Sequence, residues 1–280
     1  MDRERTGKIG FQGARGANSE IAIRDMFANM EAVPLDTFED VFNALSSDAV
    51  DLAMIPIENT LAGRVADIHH LLPGAGAYII GEYFLPIHFD LMVLPGVKLD
   101  EVKTVYSHVH ALGQCRQIIR DNGWKAVVAG DTAGSAKLVA ETGDRSYAAL
   151  APALCADIYG LETLASNVED ADHNTTRFVI LSNEKKWAEP GNGPVMTSFL
   201  FQVRNIPAAL YKAMGGFATN GVNMTKLESY QLGGAFYATQ FLADIEGHPE
   251  DRAVQLAFEE LQFFSKEFRI LGVYPQATGR

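Results

Sequence analysis

Residues 183–194 read NEKKWAEPGNGP, a polar stretch with two prolines and two glycines that follows an apolar β-like run at 178–181. Such composition marks an exposed linker between separately packed units. A chain of 280 residues suits two domains at about 150 residues each. The expected organisation is a first domain over 1–184, a linker over 185–195 and a second domain over 196–280.

Before the seam, short apolar runs alternate with helical patterns. Strand-like segments at 8–12, 52–57, 104–107 and 125–129 precede helix-like segments at 19–30, 65–72, 109–122 and 132–141. This alternation predicts an α/β architecture with mostly parallel sheet. After the seam the order becomes β-α-β-β-α-β: a strand at 197–203, a helix at 208–219 and strands at 224–230 and 235–245. Gly233 and Gly234 mark a hairpin between those two strands, and a helix at 249–265 and a strand at 269–274 follow. That is the ferredoxin-like split βαβ pattern. Its sheet has helices on one face only, which leaves an edge for pairing and makes a homodimer or homotetramer the expected assembly.

Composition removes several classes of function. With 23 basic against 35 acidic side chains the net charge is −12, which disfavours a nucleic-acid surface or an anionic membrane as partner. No apolar stretch approaches the ~20 residues of a membrane span, and MDRERTGK lacks the apolar core of a signal peptide, so a cytoplasmic location is expected. Cys115 and Cys155 are too few for a disulfide framework or a Cys-based zinc site; Cys115, beside Ala111, Leu112 and Ile119, reads as a buried inert thiol. His108 and His110 diverge on either a strand or a helix and have no third ligand at metal spacing, so no metal is expected. A G-x-G-x-x-G or P-loop pattern is missing, which disfavours a nucleotide cofactor.

In α/β sheets, ligands bind where strands hand over to helix N-termini. Five such places combine polar residues with tight backbone. Gly13 to Glu20 joins two glycines to Ala17, Asn18 and Ser19 at a helix start, where backbone N–H groups can meet an anion. The apolar run ending at Ile57 gives way to Glu58, Asn59 and Thr60. Ser107 and His108 open one helix, and Asp131, Thr132 and Ser135 open another as a capped start. Asn174-Thr175-Thr176-Arg177-Phe178 enters a strand on which Thr176 and Phe178 share one face and Arg177 the other. A hydroxyl beside an aromatic ring suits a ring-shaped substrate that must lose a hydroxyl.

Taken together and in this order, these segments resemble the prephenate dehydratase family over nearly the whole chain. The resemblance rests on the Gly13 to Glu20 loop, on PIENT at 56–60 with Gly63 and Val65, and on Ser107 and His108 with Gln114 and Cys115. It continues through Asp131 and Thr132 with Ala136, Tyr159-Gly160-Leu161, and NTTRF at 174–178. It implies a two-lobed, periplasmic-binding-protein-like catalytic domain with the active site in its cleft, followed by an ACT regulatory domain, which fits the βαββαβ order. It also implies conversion of prephenate to phenylpyruvate, water and carbon dioxide, with no cofactor. Thr176 matches the family's catalytic threonine; a hydroxyl is too weak an acid for outright protonation near neutral pH, so it would act as positioned donor or proton relay. Asn59 and Ser107 join it as catalytic candidates, and Ala17, Asn18, Glu58, Thr60, Thr132, Ser135 and Phe178 as substrate-binding candidates. Arg177, on the opposite face, is expected to be a structural partner.

This chain departs from the family pattern at several positions. PIENT replaces the commoner PIENS, and SHVH at 107–110 replaces SHPQ. In the expected ACT domain, Ala208-Ala209-Leu210-Tyr211 stands where Gly-Ala-Leu-Val is usual, and Glu228-Ser229-Tyr230-Gln231 where Glu-Ser-Arg-Pro is usual. Those segments form the family's phenylalanine site, so Ala208, Ala209, Leu210, Asn223, Glu228 and Ser229 are its candidates here and phenylalanine the expected effector. Arogenate dehydratase performs the same elimination on an amino-acid substrate, and a non-catalytic two-lobed sensor would share the fold alone.

Overall fold

The computed structural model describes residues 4–171, 173–204, 206–231 and 238–279. Two units are distinguished: one holds the described residues of Met1–Ile68 and Tyr83–Phe178, the other those of His69–Glu82 and Val179–Arg280.

The first unit opens with β1 (Gly7–Gln12), α1 (Asn18–Met26), β2 (Met30–Leu35), α2 (Phe38–Ser46) and β3 (Leu52–Asn59), and β1 pairs parallel with both β2 and β3. The central strand β3 is apolar on both faces from Leu52 to Ile55, as a strand covered on both sides must be. α2 starts where it does because Thr37 and Asp40 form a reciprocal capping box, and it buries Val41, Phe42 and Leu45. The two-residue strand β4 (Gly63–Arg64) turns back on β3. After α3 (Ala66–Leu71) and β5 (Tyr78–Pro86), β6 (Asp90–Val93) begins a second sheet with β7 (Thr104–Ser107), β8 (Lys125–Val128), β9 (Tyr147–Ala151) and β10 (Glu162–Ala165). Its order is β10-β6-β9-β7-β8, with β7 parallel to β8 and β9. α4 (Val109–Gln114), α5 (Arg116–Asp121), α6 (Thr132–Thr142) and α7 (Leu154–Tyr159) accompany it, and β11 (Thr175–Ser182) returns to the first sheet in the order β11-β3-β1-β2. The two α/β sheets are the two lobes that the family resemblance implies.

Two helices differ from their sequence patterns. The pattern at 19–30 ends in α1 at Met26, and Met30 starts β2 instead. The pattern at 109–122 breaks at Cys115 (φ −120°, ψ 36°) into α4 and α5. The cause is distant in sequence: the Asp170 carboxylate accepts from the Arg116 N–H at 2.9 Å and the Gln117 N–H at 3.0 Å, while the Asp170 N–H donates to the Gln114 carbonyl. A carboxylate that satisfies the free N–H groups of a second helix start makes the break stable.

The second unit follows the order β12 (Val195–Val203), α8 (Ala209–Thr219), β13 (Met224–Gln231), β14 (Ala238–Glu246), α9 (Arg252–Phe264) and β15 (Ser265–Pro275). Its sheet runs β13-β14-β12-β15, all antiparallel, which is the ferredoxin-like arrangement; Gly272 of β15 then pairs parallel with Ile79 of β5. The expected hairpin at Gly233 and Gly234 lies outside the described residues. Phe199, Phe201, Phe217, Phe241 and Phe258 fill the core, with Phe199 in edge contact with Phe258 at 5.1 Å. A Cβ at Gly216 would sit 2.9 Å from Glu260 Cβ, so only glycine lets α8 and α9 approach this closely. The polar seam is held by this unit: the Ala188 N–H donates to the Val273 carbonyl at 2.8 Å, and the Gln276 N–H to the Pro194 carbonyl at 3.0 Å.

Candidate active site

The glycine loop after β1 is shaped by two close contacts. Gly16 has φ +88°, and Cys155 of α7 lies against it with Sγ 3.4 Å from the Gly16 carbonyl. Tyr159 Oη donates to the Arg15 carbonyl at 2.7 Å, so the helix that carries the Tyr159-Gly160-Leu161 motif grips the loop at two points. Burial pushes the Cys155 thiol and the Tyr159 phenol up to about 12, so both keep the protons they donate. Glu20 is fully buried and accepts from the Gly16 N–H at 2.8 Å and from the guanidinium groups of Arg15 and Arg24. Burial alone would raise its carboxyl, but these donors outweigh it and hold the group below the usual carboxylate range. The result is a rigid turn that leaves Ala17, Asn18 and the N-terminus of α1 on the wall of a cavity.

PIENT and NTTRF meet on adjacent strands. Asn59 Nδ2 donates to Thr176 Oγ1 at 2.9 Å and to Asn174 Oδ1 at 2.7 Å, while Asn59 Oδ1 accepts from the N–H groups of Leu61 and Ala62. Both amide protons and both lone pairs of Asn59 are thus used. Its role in this geometry is to aim Thr176, whose oxygen accepts from Asn59 and whose side chain lines the cavity. Phe178 lies beside Thr176 on the same wall.

Four candidates do not reach the cavity. Thr60 accepts from the Thr175 N–H and donates to the His173 carbonyl, both at 2.9 Å, and so clips the two motifs together. Glu58 pairs with the buried Arg177 at 2.8 Å, behind the wall, as the strand alternation of Arg177 and Thr176 requires. Ser135 donates to the Asp131 carbonyl at 2.7 Å, one turn back in its own helix. Ser107 is likewise absent from the wall: it is fully buried, and its hydroxyl donates to the Leu150 carbonyl at 2.6 Å, joining β7 to β9. A hydroxyl at a strand end is visible in sequence; the carbonyl it finds in a neighbouring strand is not.

The second sheet instead offers His108, His110, Gln114, Asp131 and Thr132. Of these only Thr132 was expected as a binding residue from the sequence, although Gln114 and His108 stand in the matched motifs. The His108 and His110 rings are 5.0 Å apart, and burial, then His110, lower the His108 imidazole while Asp131 pulls the other way. Asp131 accepts from the Gly134 N–H at 2.6 Å and caps α6. Ile87 and Phe89, from the connection between the two sheets, line the remaining side.

The cavity encloses about 280 Å³, the lower end of the range for small-molecule sites. Among the described residues, its wall contains neither Lys nor Arg. An anion there would be met by neutral donors and by the partial positive charge of the N-termini of α1 and α6, the latter already capped by the Asp131 carboxylate. Among the described residues, no three His, Cys, Asp or Glu side chains converge as ligands for a metal ion, and no helix is long and apolar enough to cross a membrane.

The prephenate dehydratase sequence profile matches residues 9–186, which span both lobes of this cavity. The chain belongs to the prephenate dehydratase family. A Komagataeibacter europaeus protein named as a bifunctional N-acyl-homoserine lactone acylase/prephenate dehydratase is 48% identical over 272 residues, 97% of each chain. The chloroplastic arogenate dehydratase/prephenate dehydratase 1 of Arabidopsis thaliana is 36% identical over 282 residues, covering 96% of this chain and 72% of that one. The solved prephenate dehydratase of Arthrobacter aurescens in complex with L-Phe superposes with a TM-score of 0.89 at 29% identity, covering 98% of this chain and 91% of that one.

In this prephenate dehydratase family member, the candidate effector residues all lie in the second unit. Ala208 precedes α8 with φ +61°, a left-handed conformation that favours glycine, which is the family's usual residue there. Ala209 is buried and Leu210 packs on the aromatic core. Asn223 Nδ2 donates to Glu246 at 3.0 Å. Ser229 stands opposite Phe241 on the helix-covered face of β13, while Glu228, on the other face, pairs with the buried Lys226 at 3.0 Å. Strand alternation therefore sends Glu228 and Ser229 to opposite sides.

Proposed function

We propose that this chain is a prephenate dehydratase that converts prephenate to phenylpyruvate, water and carbon dioxide, and that residues 196–280 form an ACT domain through which phenylalanine inhibits it. The observation that carries the reading is the Thr176 hydroxyl, whose oxygen accepts from Asn59 and which lines a cavity that, among the described residues, has neither Lys nor Arg on its wall. Heterolysis of the ring C–O bond is assisted by hydrogen-bond donation from Thr176, and the departing hydroxide takes up a proton to leave as water. The ring carboxylate leaves as carbon dioxide, and its bonding electrons complete the aromatic ring. The net reaction consumes one proton, which Thr176 relays. A guanidinium on that carboxylate would stabilise the ground state against decarboxylation; neutral donors bind it without that penalty. The remaining carboxylate is met by the helix N-termini at Asn18 and Thr132.

One observation favours a second reading. Asp131 is the only carboxylate among the described wall residues, and arogenate carries an ammonium where prephenate carries a keto oxygen. Turnover is measured on prephenate, arogenate and, because of the Komagataeibacter relative's name, an N-acyl-homoserine lactone, each with and without phenylalanine. Prephenate is expected to be turned over fastest, and Thr176→Ala to lower kcat about 10²–10³-fold with its melting temperature held. Undiminished kcat in that variant refutes the assignment of Thr176. Preference for arogenate establishes the second reading, and turnover of none of the three leaves a binding protein.

A further inference from the structure

We infer that Asn174 is a positioning residue which decides which end of the Gln114 amide faces the cavity. The argument starts from two backbone groups that can only donate. The N–H groups of Leu61 and Ala62 point at one atom of the Asn59 amide, at 2.9 and 2.8 Å, so that atom is the oxygen. The nitrogen is then at the other end, and one of its protons goes to Asn174 at 2.7 Å, so the atom of Asn174 that meets it is an oxygen. The Asn174 nitrogen therefore donates to Gln114, 2.6 Å away, and the atom that receives it is Gln114 Oε1. The Gln114 nitrogen, with two protons, is left for the cavity whose wall Gln114 forms.

Polarity is passed in this way through three amides. Reversing any one of them brings two oxygens or two NH₂ groups together at Asn174, which is only 3% exposed, and water cannot repair that mismatch. Asn174 is itself fixed in place, since its carbonyl accepts from the Ile87 N–H at 2.8 Å. The consequence lies in ligand choice. A wall with neither Lys nor Arg among the described residues depends on neutral donors to hold a carboxylate, and the relay makes Gln114 a donor; reversed, Gln114 would offer a carbonyl oxygen to an anion.

Only the identity of the anion rests on the dehydratase reading; the relay itself does not. The test is Asn174→Asp, assayed for prephenate turnover from pH 8 to 5. The carboxylate of the variant still accepts from Asn59 but has no proton for Gln114, whose amide turns over. kcat/KM is expected to fall about 10²-fold at pH 8, as for loss of one positioned donor. It should recover towards the wild-type value in acid, when the carboxyl introduced by the substitution is protonated and donates to Gln114 again. Asn174→Ala should lose activity without acid recovery. The surrounding titratable and charged groups are His108, His110, Asp131, Glu169, Asp170, His173 and the Glu58–Arg177 pair. All are common to both proteins, so the difference between the two profiles belongs to position 174. Profiles that run parallel overturn the proposal. If wild type does not act on prephenate, or the variant does not fold, neutron diffraction from wild-type crystals decides. Deuterons on the cavity side of the Gln114 amide support the relay, and an oxygen there overturns it.

Discussion

Gly16→Ala probes the contact that fixes the glycine loop. The backbone at Gly16 has φ +88°, and a Cβ built there would lie 2.7 Å from Cys155 Sγ. A left-handed conformation costs a non-glycine residue about 1–2 kcal/mol, and forcing a methyl into a packed site costs about 1–3 kcal/mol more. The sum is about 2–5 kcal/mol, and each kcal/mol moves the melting temperature of a chain of this size by about 2–4 °C. The two contributions separate in a double-mutant cycle. After Sγ, the nearest atoms to that Cβ are Cys155 Cα at 3.4 Å and N at 3.5 Å, close to ordinary contact, so removing the sulfur relieves the overlap. Cys155→Ala alone should cost about 1–2 kcal/mol for the void it leaves. The double variant should be more stable than the sum of the singles by about 1–3 kcal/mol, because the new methyl occupies the vacated space. The assay is calorimetric melting of all four proteins. Additivity within about 0.5 kcal/mol would refute the argument that the sulfur shapes this turn.

Two further perturbations test the scaffold. Glu20→Gln should destabilise by about 1–3 kcal/mol at neutral pH, since Arg15 and Arg24 lose their shared carboxylate. The folded carboxyl lies below its ordinary value near 4.5, so its stabilisation is complete above that pH and is lost as pH falls through the folded value. Melts from pH 7 to 3 should therefore show wild type converging on the variant in acid, and a constant gap would sink the explanation. Gly272→Ala places a methyl against the Ile79 carbonyl, a backbone atom that cannot swing aside. The expected result is loss of the β15–β5 pairing, read as hydrogen exchange at Ile79 and Gly272 faster by at least tenfold; unchanged protection there would contradict it.

Much of the fold was legible because its signals are local. The capped start at Asp131, the βαββαβ rhythm after residue 195 and the apolar β3 strand each follow from neighbours in sequence. PIENT and NTTRF were also legible as polar residues at strand ends, and Asn59 and Thr176 do meet. Other features depend on partners far along the chain. The helix break at Cys115 needs Asp170, and the retreat of Ser107 needs the Leu150 carbonyl 43 residues away. Thr60 and Ser135 illustrate the same limit: a hydroxyl beside a helix start serves a ligand or the backbone equally well, and only the fold shows which.

The pairing of β5 with β15 also sets an order of events during synthesis. Ile79 leaves the ribosome 272 − 79 = 193 residues before its partner Gly272, a wait of about 10–40 s at about 5–20 residues per second. Through that interval one edge of β5 has no partner from β15, and β3 gains β11 only once residues 175–182 have been made. Nascent chains of this protein therefore carry an open apolar edge until translation is almost complete, and chaperone dependence should be sought there.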